Sequence, residues 1–181
     1  VYDTAAGKGK GKLHKVLLNN AVFKQLSYDG YGRPLSTTTT IDGSYNYTTT
    51  SGYDNTFGRL DSLTYPAGFK LKYNYKNTGH LQSVTKFGDS STAYWKEGTV
   101  CSNKPGALCS EFLGDRSTAV NGFTGIQVSS TYHDTNPWLM AQSANQQGNY
   151  LNSYQHFDYS YDNVGNLMSR GQNAYSVGGT S

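Results

Sequence analysis

The sequence predicts an all-β protein made of repeated antiparallel hairpins that form an extended, curling sheet. The chain holds 16 Tyr and 21 Gly among 181 residues, while only 15% of its residues are charged and 35% are hydrophobic. A turn phrase recurs along it, and the segments between its copies alternate apolar and polar residues with the period of a strand. Each aromatic ring can bury about 150–250 Å². Tyr therefore compensates for scarce aliphatic residues, and nothing favours a helical domain.

A short phrase recurs at residues 28–35, 53–60, 75–81 and 161–167. Successive glycines of the first three copies recur within the roughly 20–50-residue spacing that marks stacked supersecondary units. We therefore interpret the chain as a repeat protein. The residues expected to build its turns are Tyr28, Asp29, Gly32, Arg33, Tyr53, Asp54, Gly58, Arg59, Tyr75, Gly79, Tyr161, Asp162 and Gly165.

The phrase has the chemistry of a hairpin turn. Its Tyr ends a strand, and the Asp or Asn that follows turns the chain by bonding its own backbone two residues further on. Gly accepts the positive φ that such turns often require. The Leu after the phrase begins the returning strand.

The segments between the turns have the residues of strands. The Thr tracts at 37–40 and 48–50 are β-branched and favour extended backbone. Residues 69–75 give the cleanest alternation, with Phe and Tyr on one face and Lys and Asn on the other. Between the segments around 60–65 and 69–75, Tyr65-Pro66-Ala67-Gly68 predicts a turn, because Pro fixes φ and Gly accepts the left-handed conformation.

These residues resemble the YD-repeat, or rearrangement-hotspot (Rhs), family. The likeness is carried by the Tyr-Asp-x-x-Gly-Arg-Leu units, by Leu-Thr-Tyr-Pro-x-Gly at 63–68, and by residues 73–81 and 159–170. The opening Tyr2-Asp3-Thr4-Ala5-Ala6 with its Gly/Lys run resembles a variant repeat. In that family the repeats form a hollow shell that encloses a toxic domain in bacterial polymorphic toxins and toxin complexes, and animal teneurins use a similar barrel in adhesion.

The resemblance implies a non-enzymatic shell segment that encapsulates or presents a toxin passenger. Its partners would be adjacent repeats of the same or a nicked polypeptide, and its location secreted or at a bacterial cell surface. We expect an interior segment of such a shell or a truncated form of one, because neither the Asp-Pro pair of the family's self-cleavage region nor a distinct toxin domain is found.

Three regions are expected: YD-repeat hairpins over residues 1–94, a degenerate insertion region over 95–147, and a further hairpin with a tail over 148–181. In the middle region only residues 131–139 look like a decayed unit, with Asn136-Pro137 where Gly-Arg would stand. We expect a continuous sheet through this region.

Two cysteines, Cys101 and Cys109, flank Pro105-Gly106 in the middle region. A turn at this dipeptide would bring the thiols together as a hairpin-tip disulfide, which suits an exported protein. The alternative is a pair of half-buried free thiols.

The sequence predicts no enzymatic activity, no metal site and no cofactor. The four His share no ligand spacing, the two Cys have no zinc pattern, and Asp29, Asp54 and Asp162 are assigned to turns. The Lys-rich run at residues 7–12 lacks the spacer and the Ser or Thr of a phosphate loop, so we interpret it as a flexible, solvated hairpin tip. A net charge of +3 and the lack of a long apolar stretch predict neither nucleic-acid binding nor membrane insertion.

A second function class is a cell-surface adhesin or carbohydrate-binding module built from the same repeats. Trp95 and Trp138 lie outside the phrase, so they are the residues expected to expose rings for stacking on a surface glycan. Binding lost on replacing either Trp would favour this class over the container.

Overall fold

The computed structural model describes residues 1–5, 7–19, 21–102, 104–114, 125–146 and 149–173, and this part of the chain is all-β. The strands are β1 (Lys15–Leu18), β2 (Ala21–Tyr28), β3 (Pro34–Ile41), β4 (Tyr45–Tyr53), β5 (Leu60–Thr64), β6 (Lys70–Tyr75), β7 (Leu81–Lys86), β8 (Asp89–Glu97), β9 (Ser110–Leu113), β10 (Ile126–Tyr132), β11 (Leu139–Gln146), β12 (Asn149–Tyr161) and β13 (Leu167–Asn173). A single 3₁₀ turn, Pro66–Gly68, is the helical element among the described residues, and no helix there is long and apolar enough to cross a bilayer.

The chain divides into two compact units, Val1–Tyr73 and Asn74–Ser181. In the first, β1 to β6 pair antiparallel with one another in chain order. The Thr tracts lie in β3 and β4, where Thr38 faces Thr48 and their hydroxyl oxygens are 2.9 Å apart. The predicted class of repeated antiparallel hairpins is confirmed.

In the second unit, β7 to β13 also pair antiparallel in chain order. The pairing runs without a break through β9, β10 and β11, so the prediction that the sheet continues through the middle region is confirmed. The three-region division at residues 94 and 147 stays a prediction.

A register shift precedes the Tyr at the end of four strands. Each shift lies between the Tyr and the residue before it, and the four tyrosines are Tyr28, Tyr53, Tyr132 and Tyr161. A bulge of this kind increases the local twist and changes the direction of the neighbouring side chains. The bulge is therefore part of the repeat, and the sequence phrase does not reveal it.

Very little of the described chain is buried. The buried hydrophobic residues there are Tyr28, Ala93 and Cys101, and no side chain is less than 2% exposed. A typical domain buries one face of a sheet against a second layer. Within each unit, the described strands instead form one sheet with both faces partly open to solvent.

The turn before β6 has the expected position and an unexpected strain. Gly68 has a φ of 84°, as predicted, but Ala67 also has a positive φ, 66°. Residues with a Cβ adopt this region at a cost. The backbone bond from Gly68 N–H to the Tyr65 carbonyl, 3.2 Å, closes the turn around it.

Candidate functional site, a ladder of repeat turns

The Asp of the phrase organises each turn through both carboxylate oxygens. Oδ1 of Asp29 accepts hydrogen bonds from the backbone N–H groups of Tyr31 and Arg33, both at 2.9 Å, and Oδ2 accepts one from Nε of Arg33 at 2.7 Å. Partial desolvation raises the pKa of Asp29, but the hydrogen bonds from the backbone and guanidinium of Arg33 outweigh it and the net pKa is lowered. The carboxylate is held ionised as a turn-former.

Two further turns repeat this arrangement. Asp54 accepts from the backbone N–H of Phe57 at 2.5 Å and from Nε of Arg59 at 3.0 Å, and these bonds lower its pKa to about 2. Asp162 accepts from the side-chain amide of Asn166 at 2.8 Å, which is the main cause of its lowered pKa. Asn166 thus takes the role that Arg33 and Arg59 have in the turns of Asp29 and Asp54.

One backbone bond recurs in the turns of the phrase and fixes their equivalent positions. The N–H after the strand-ending Tyr donates to the carbonyl of the residue in the Arg position, as from Asp29 to Arg33 at 2.9 Å. We call the position before this donor the Tyr position and that of the acceptor the cation position. The equivalent donor and acceptor pairs are Asp3 and Lys12, Asp54 and Arg59, Lys76 and His80, Gly98 and Ser110, His133 and Trp138, and Asp162 and Asn166.

In the first unit, consecutive turns are joined by the residue in the cation position. The guanidinium carbon of Arg33 lies 4.1 Å from the centroid of the Tyr53 ring in the next turn, and its Nη1 donates to the carbonyl of Gly58 at 3.0 Å. The hydroxyl of Tyr53 donates back to the Pro34 carbonyl at 2.7 Å. These three contacts connect residues about a repeat apart in sequence.

Lys12 makes the same contacts one turn earlier. Its Nζ lies 5.1 Å from the centroid of the Tyr28 ring and donates to the carbonyl of Gly32, and the Tyr28 hydroxyl donates to the Leu13 carbonyl at 2.7 Å. The prediction of a solvated tip holds for Lys8 and Lys10, which are exposed, and fails for the buried Gly9 and for Lys12, which contacts the next turn. The run is the long loop of a variant repeat, as the family resemblance implies.

Trp138 occupies the cation position in the second unit. Its backbone carbonyl accepts the closing bond from His133 at 2.9 Å, and its ring lies 5.3 Å from that of Tyr161. The hydroxyl of Tyr161 donates to the Leu139 carbonyl at 3.0 Å. The hydroxyls of Tyr28 and Tyr53 donate to the carbonyls in the equivalent position of their turns. The sequence predicts Asn136-Pro137 in the place of the Gly-Arg dipeptide of the phrase. This prediction is wrong by one residue, because Pro137-Trp138 occupy that place.

We call the three linked pairs, Lys12 with Tyr28, Arg33 with Tyr53 and Trp138 with Tyr161, the turn ladder.

The two tryptophans expected to expose their rings are both half-buried. Trp138 contacts His133, at 5.6 Å between ring centroids, as well as Tyr161. Trp95 pairs with Val84 and Leu113 on neighbouring strands and donates from Nε1 to Oε2 of Glu111 at 2.5 Å. The structure thus gives both indoles packing contacts, and their assignment to glycan stacking stays a prediction.

The structure joins Cys101 and Cys109 as a disulfide. The loop they close is held by backbone bonds from Cys101 to Ala107 and from Cys109 to Thr99. At its tip, Nζ of Lys104 donates to the carbonyl of Asp134 in the following turn at 2.7 Å. The loop therefore makes a link between turns in place of a short phrase.

The described residues hold no group of three or more His, Cys, Asp or Glu side chains that could bind a metal. The most enclosed carboxylate of an ion pair is that of Glu97, whose side chain is 6% exposed and whose Oε1 lies 2.5 Å from Nζ of Lys76. The arrangement of the turns is mechanical: carboxylates shape them, and cations or rings connect them.

The fold and the ladder together define a class, a β-repeat protein in which consecutive hairpins are linked through their turns. Neither a family model nor a curated protein sequence matches the chain. Solved structures do. The chain is similar to part of the crystal structure of TcdB2-TccC3-TEV, with 22% identity, a TM-score of 0.59, and coverage of 85% of this chain and 8% of that one.

It is also similar to part of the Photorhabdus luminescens Tc holotoxin pore containing a substituted TccC3, with 22% identity and a TM-score of 0.62. That match covers 91% of this chain and 8% of the other. At this identity the likeness shows a shared fold. It agrees with the YD-repeat resemblance of the turn phrase, and this chain spans a small part of each matched protein.

Proposed function

We propose that the chain is a structural wall segment of a Rhs/YD-repeat shell that encloses or presents a toxin passenger, and that it has no catalytic role. The observation that carries the proposal is the single-layer sheet whose turns are connected by the ladder. A wall needs continuity from hairpin to hairpin more than a thick core. The fold shared with Tc toxin structures supports the same role.

The proposed mechanism is mechanical. Hairpins pair edge to edge, and the linked pairs of the ladder hold neighbouring turns together within each unit, so the sheet extends by repetition. Among the described residues β2 is the one strand that pairs with β1, whose Lys15 also bonds Val1, and β12 is the one strand that pairs with β13. Unpaired edges are templates for further strands. Adjacent repeats of the same or a nicked polypeptide are the natural partners for these edges.

Protease protection tests this function. The polypeptide in which this segment occurs would be treated with a nonspecific protease, and the lifetime of its passenger compared with that of the isolated passenger. Encapsulation predicts a much longer lifetime inside the shell. Equal cleavage rates for the enclosed and the isolated passenger would refute encapsulation.

One observation favours the alternative of a glycan-binding adhesin. Tyr31 and Phe57, on neighbouring turn tips of the first unit, are 87% and 71% exposed. They border a groove with Arg33, Asn55 and Thr56, so rings and polar groups suited to a sugar lie together at these two turns. Binding on a glycan array that is lost in Tyr31→Ser and Phe57→Ser, with secretion to the surface, would favour the adhesin.

A further inference from the structure

One turn of the second unit lacks the ring that fills the ladder elsewhere. Glu97 occupies the Tyr position there, because the next residue, Gly98, donates the closing bond to the Ser110 carbonyl at 3.0 Å. Glu97 pairs with Glu111 across the hairpin, and no register shift precedes it. A carboxylate thus stands where Tyr28, Tyr53 and Tyr161 place a phenol.

The preceding turn supplies the residue in the cation position that would be linked to this Tyr position. His80 is in the cation position, since its carbonyl accepts the closing bond from Lys76 at 2.9 Å. Lys76 also forms the ion pair with Glu97. That ion pair links the two turns by charge, but it does not provide the volume of an aromatic ring.

A cavity lies at this place. His80 and Leu81 line it from the preceding turn, Glu97 lines it from the end of β8, and Val100, Gly106 and Leu108 line it from the disulfide loop. Its walls are largely apolar, with a nearly buried carboxylate among them. Pockets of this composition bind apolar rings and orient them by a few polar groups.

The three complete pairs of the ladder show what fits such a space. In each, a phenol ring enters from the Tyr position and its hydroxyl donates to the carbonyl just after the cation position, at 2.7 to 3.0 Å. The carbonyl in the equivalent place here is that of Leu81. We infer that this cavity is a vacated position of the ladder and a binding site for a phenol ring bearing a para substituent.

Two sources present this chemistry: a free para-substituted phenol and the tyrosine side chain of a polypeptide. The apolar walls would hold the ring. The Leu81 carbonyl and the Glu97 carboxylate would accept hydrogen bonds from its hydroxyl. A ring without a hydroxyl would not make the hydrogen bond to the Leu81 carbonyl, and its binding would lose that contribution. The site follows from the ladder geometry alone and does not depend on an encapsulating role.

The experiment is an NMR titration of the 181-residue chain with 4-ethylphenol, with N-acetyl-tyrosine amide, and with ethylbenzene and N-acetyl-phenylalanine amide as matched controls. We expect saturable shifts of the resonances of Leu81, Val100 and Leu108 with both phenols. The hydroxyl-free controls should bind about threefold to tenfold more weakly, the effect of one hydrogen bond. Binding of 4-ethylphenol alone would assign the site to free phenols, and binding of both would admit a polypeptide tyrosine.

Two variants fill the site and one preserves it. Glu97→Tyr restores the ring of the ladder and should abolish phenol binding, and Leu108→Trp should block the cavity from the loop side. Glu97→Gln keeps the volume and should retain binding within a few-fold. Absence of saturable binding to the parent chain, or undiminished binding in a folded Glu97→Tyr or Leu108→Trp variant, would overturn the inference.

Discussion

Arg33 and Tyr53, twenty residues apart in sequence, form one unit of the structure: the guanidinium of Arg33 lies over the Tyr53 ring, with 4.1 Å between the guanidinium carbon and the ring centroid. The same guanidinium bonds Asp29 in its own turn and the Gly58 carbonyl in the next. One side chain thus shapes one turn and holds its neighbour.

Replacing Arg33 tests that role. Arg33→Ala should lower the free energy of unfolding by about 1–2 kcal/mol, because it removes cation–π contacts with Tyr31 and Tyr53 and hydrogen bonds to two turns. Arg33→Lys should lose less, since Lys12 makes equivalent contacts with Tyr28 and Gly32. Urea denaturation followed by circular dichroism measures the difference.

The matched control is Lys10→Ala, which removes an exposed cation of the same unit. It should change the free energy of unfolding by no more than about 0.5 kcal/mol. If Arg33→Ala and Lys10→Ala have equal effects, Arg33 does not connect the turns.

The hydroxyl of Tyr53 gives a second, smaller test. Tyr53→Phe keeps the ring beneath Arg33 but removes the 2.7 Å hydrogen bond to the Pro34 carbonyl. The expected cost is about 0.5–1.5 kcal/mol of unfolding free energy. Tyr31→Phe, at the exposed tip of the preceding turn, is the control and should be close to neutral.

Replacing Trp138 by a cationic residue should destabilise the chain less than replacing it by a small residue. Trp138→Arg restores the residue type of the phrase above Tyr161, whereas Trp138→Ala leaves that ring uncovered. We therefore expect the melting temperature to fall in the order parent, Arg variant, Ala variant. An Ala variant as stable as the parent would show that Trp138 does not belong to the ladder.

Acid should weaken the turn at Asp54. Its pKa is lowered from 3.8 to about 2 in the folded chain, so its contribution is fully present above the unfolded value and is lost as pH falls from about 4 to 2. The carboxyl ¹³C resonance of Asp54 should titrate with a midpoint near the lower value. In Asp54→Asn the stability should depend less on pH across this window, and a midpoint near 3.8 would contradict the turn geometry.

The disulfide should be detectable by mass. Alkylation after reduction should label both Cys101 and Cys109, whereas alkylation without reductant should label neither. The double variant Cys101→Ser with Cys109→Ser should lose about 2–3 kcal/mol of unfolding free energy, as expected for a short closed loop. Labelling without reductant would show that the thiols are free.

The sequence predicts the turns well because their chemistry is local. Asp29 reaches N–H groups two and four residues away, and Gly32 has the positive φ expected of it, 79°. The Thr tracts and the alternation in residues 69–75 likewise report strands directly. No residue outside each segment is needed to specify these features.

The links between turns could not be predicted in the same way. Lys12 and Trp138 occupy the cation position only when the hydrogen-bond register is known, because the intervening loops differ in length. Because of these differing loop lengths, the sequence predicts a solvated Lys-rich run. For the same reason it places the Gly-Arg dipeptide of the decayed unit one residue too early. Partners such as Arg33 and Gly58 meet through sheet pairing, which a short phrase does not encode.

The central claim is that this chain is a repeating wall whose sheet is completed by neighbouring strands. Multi-angle light scattering of the 181-residue chain over a range of concentrations tests it most directly. The account predicts concentration-dependent association through unpaired strand edges, suppressed when adjacent repeats are expressed with it. A monodisperse monomer at every concentration, with a cooperative thermal melt, would contradict it.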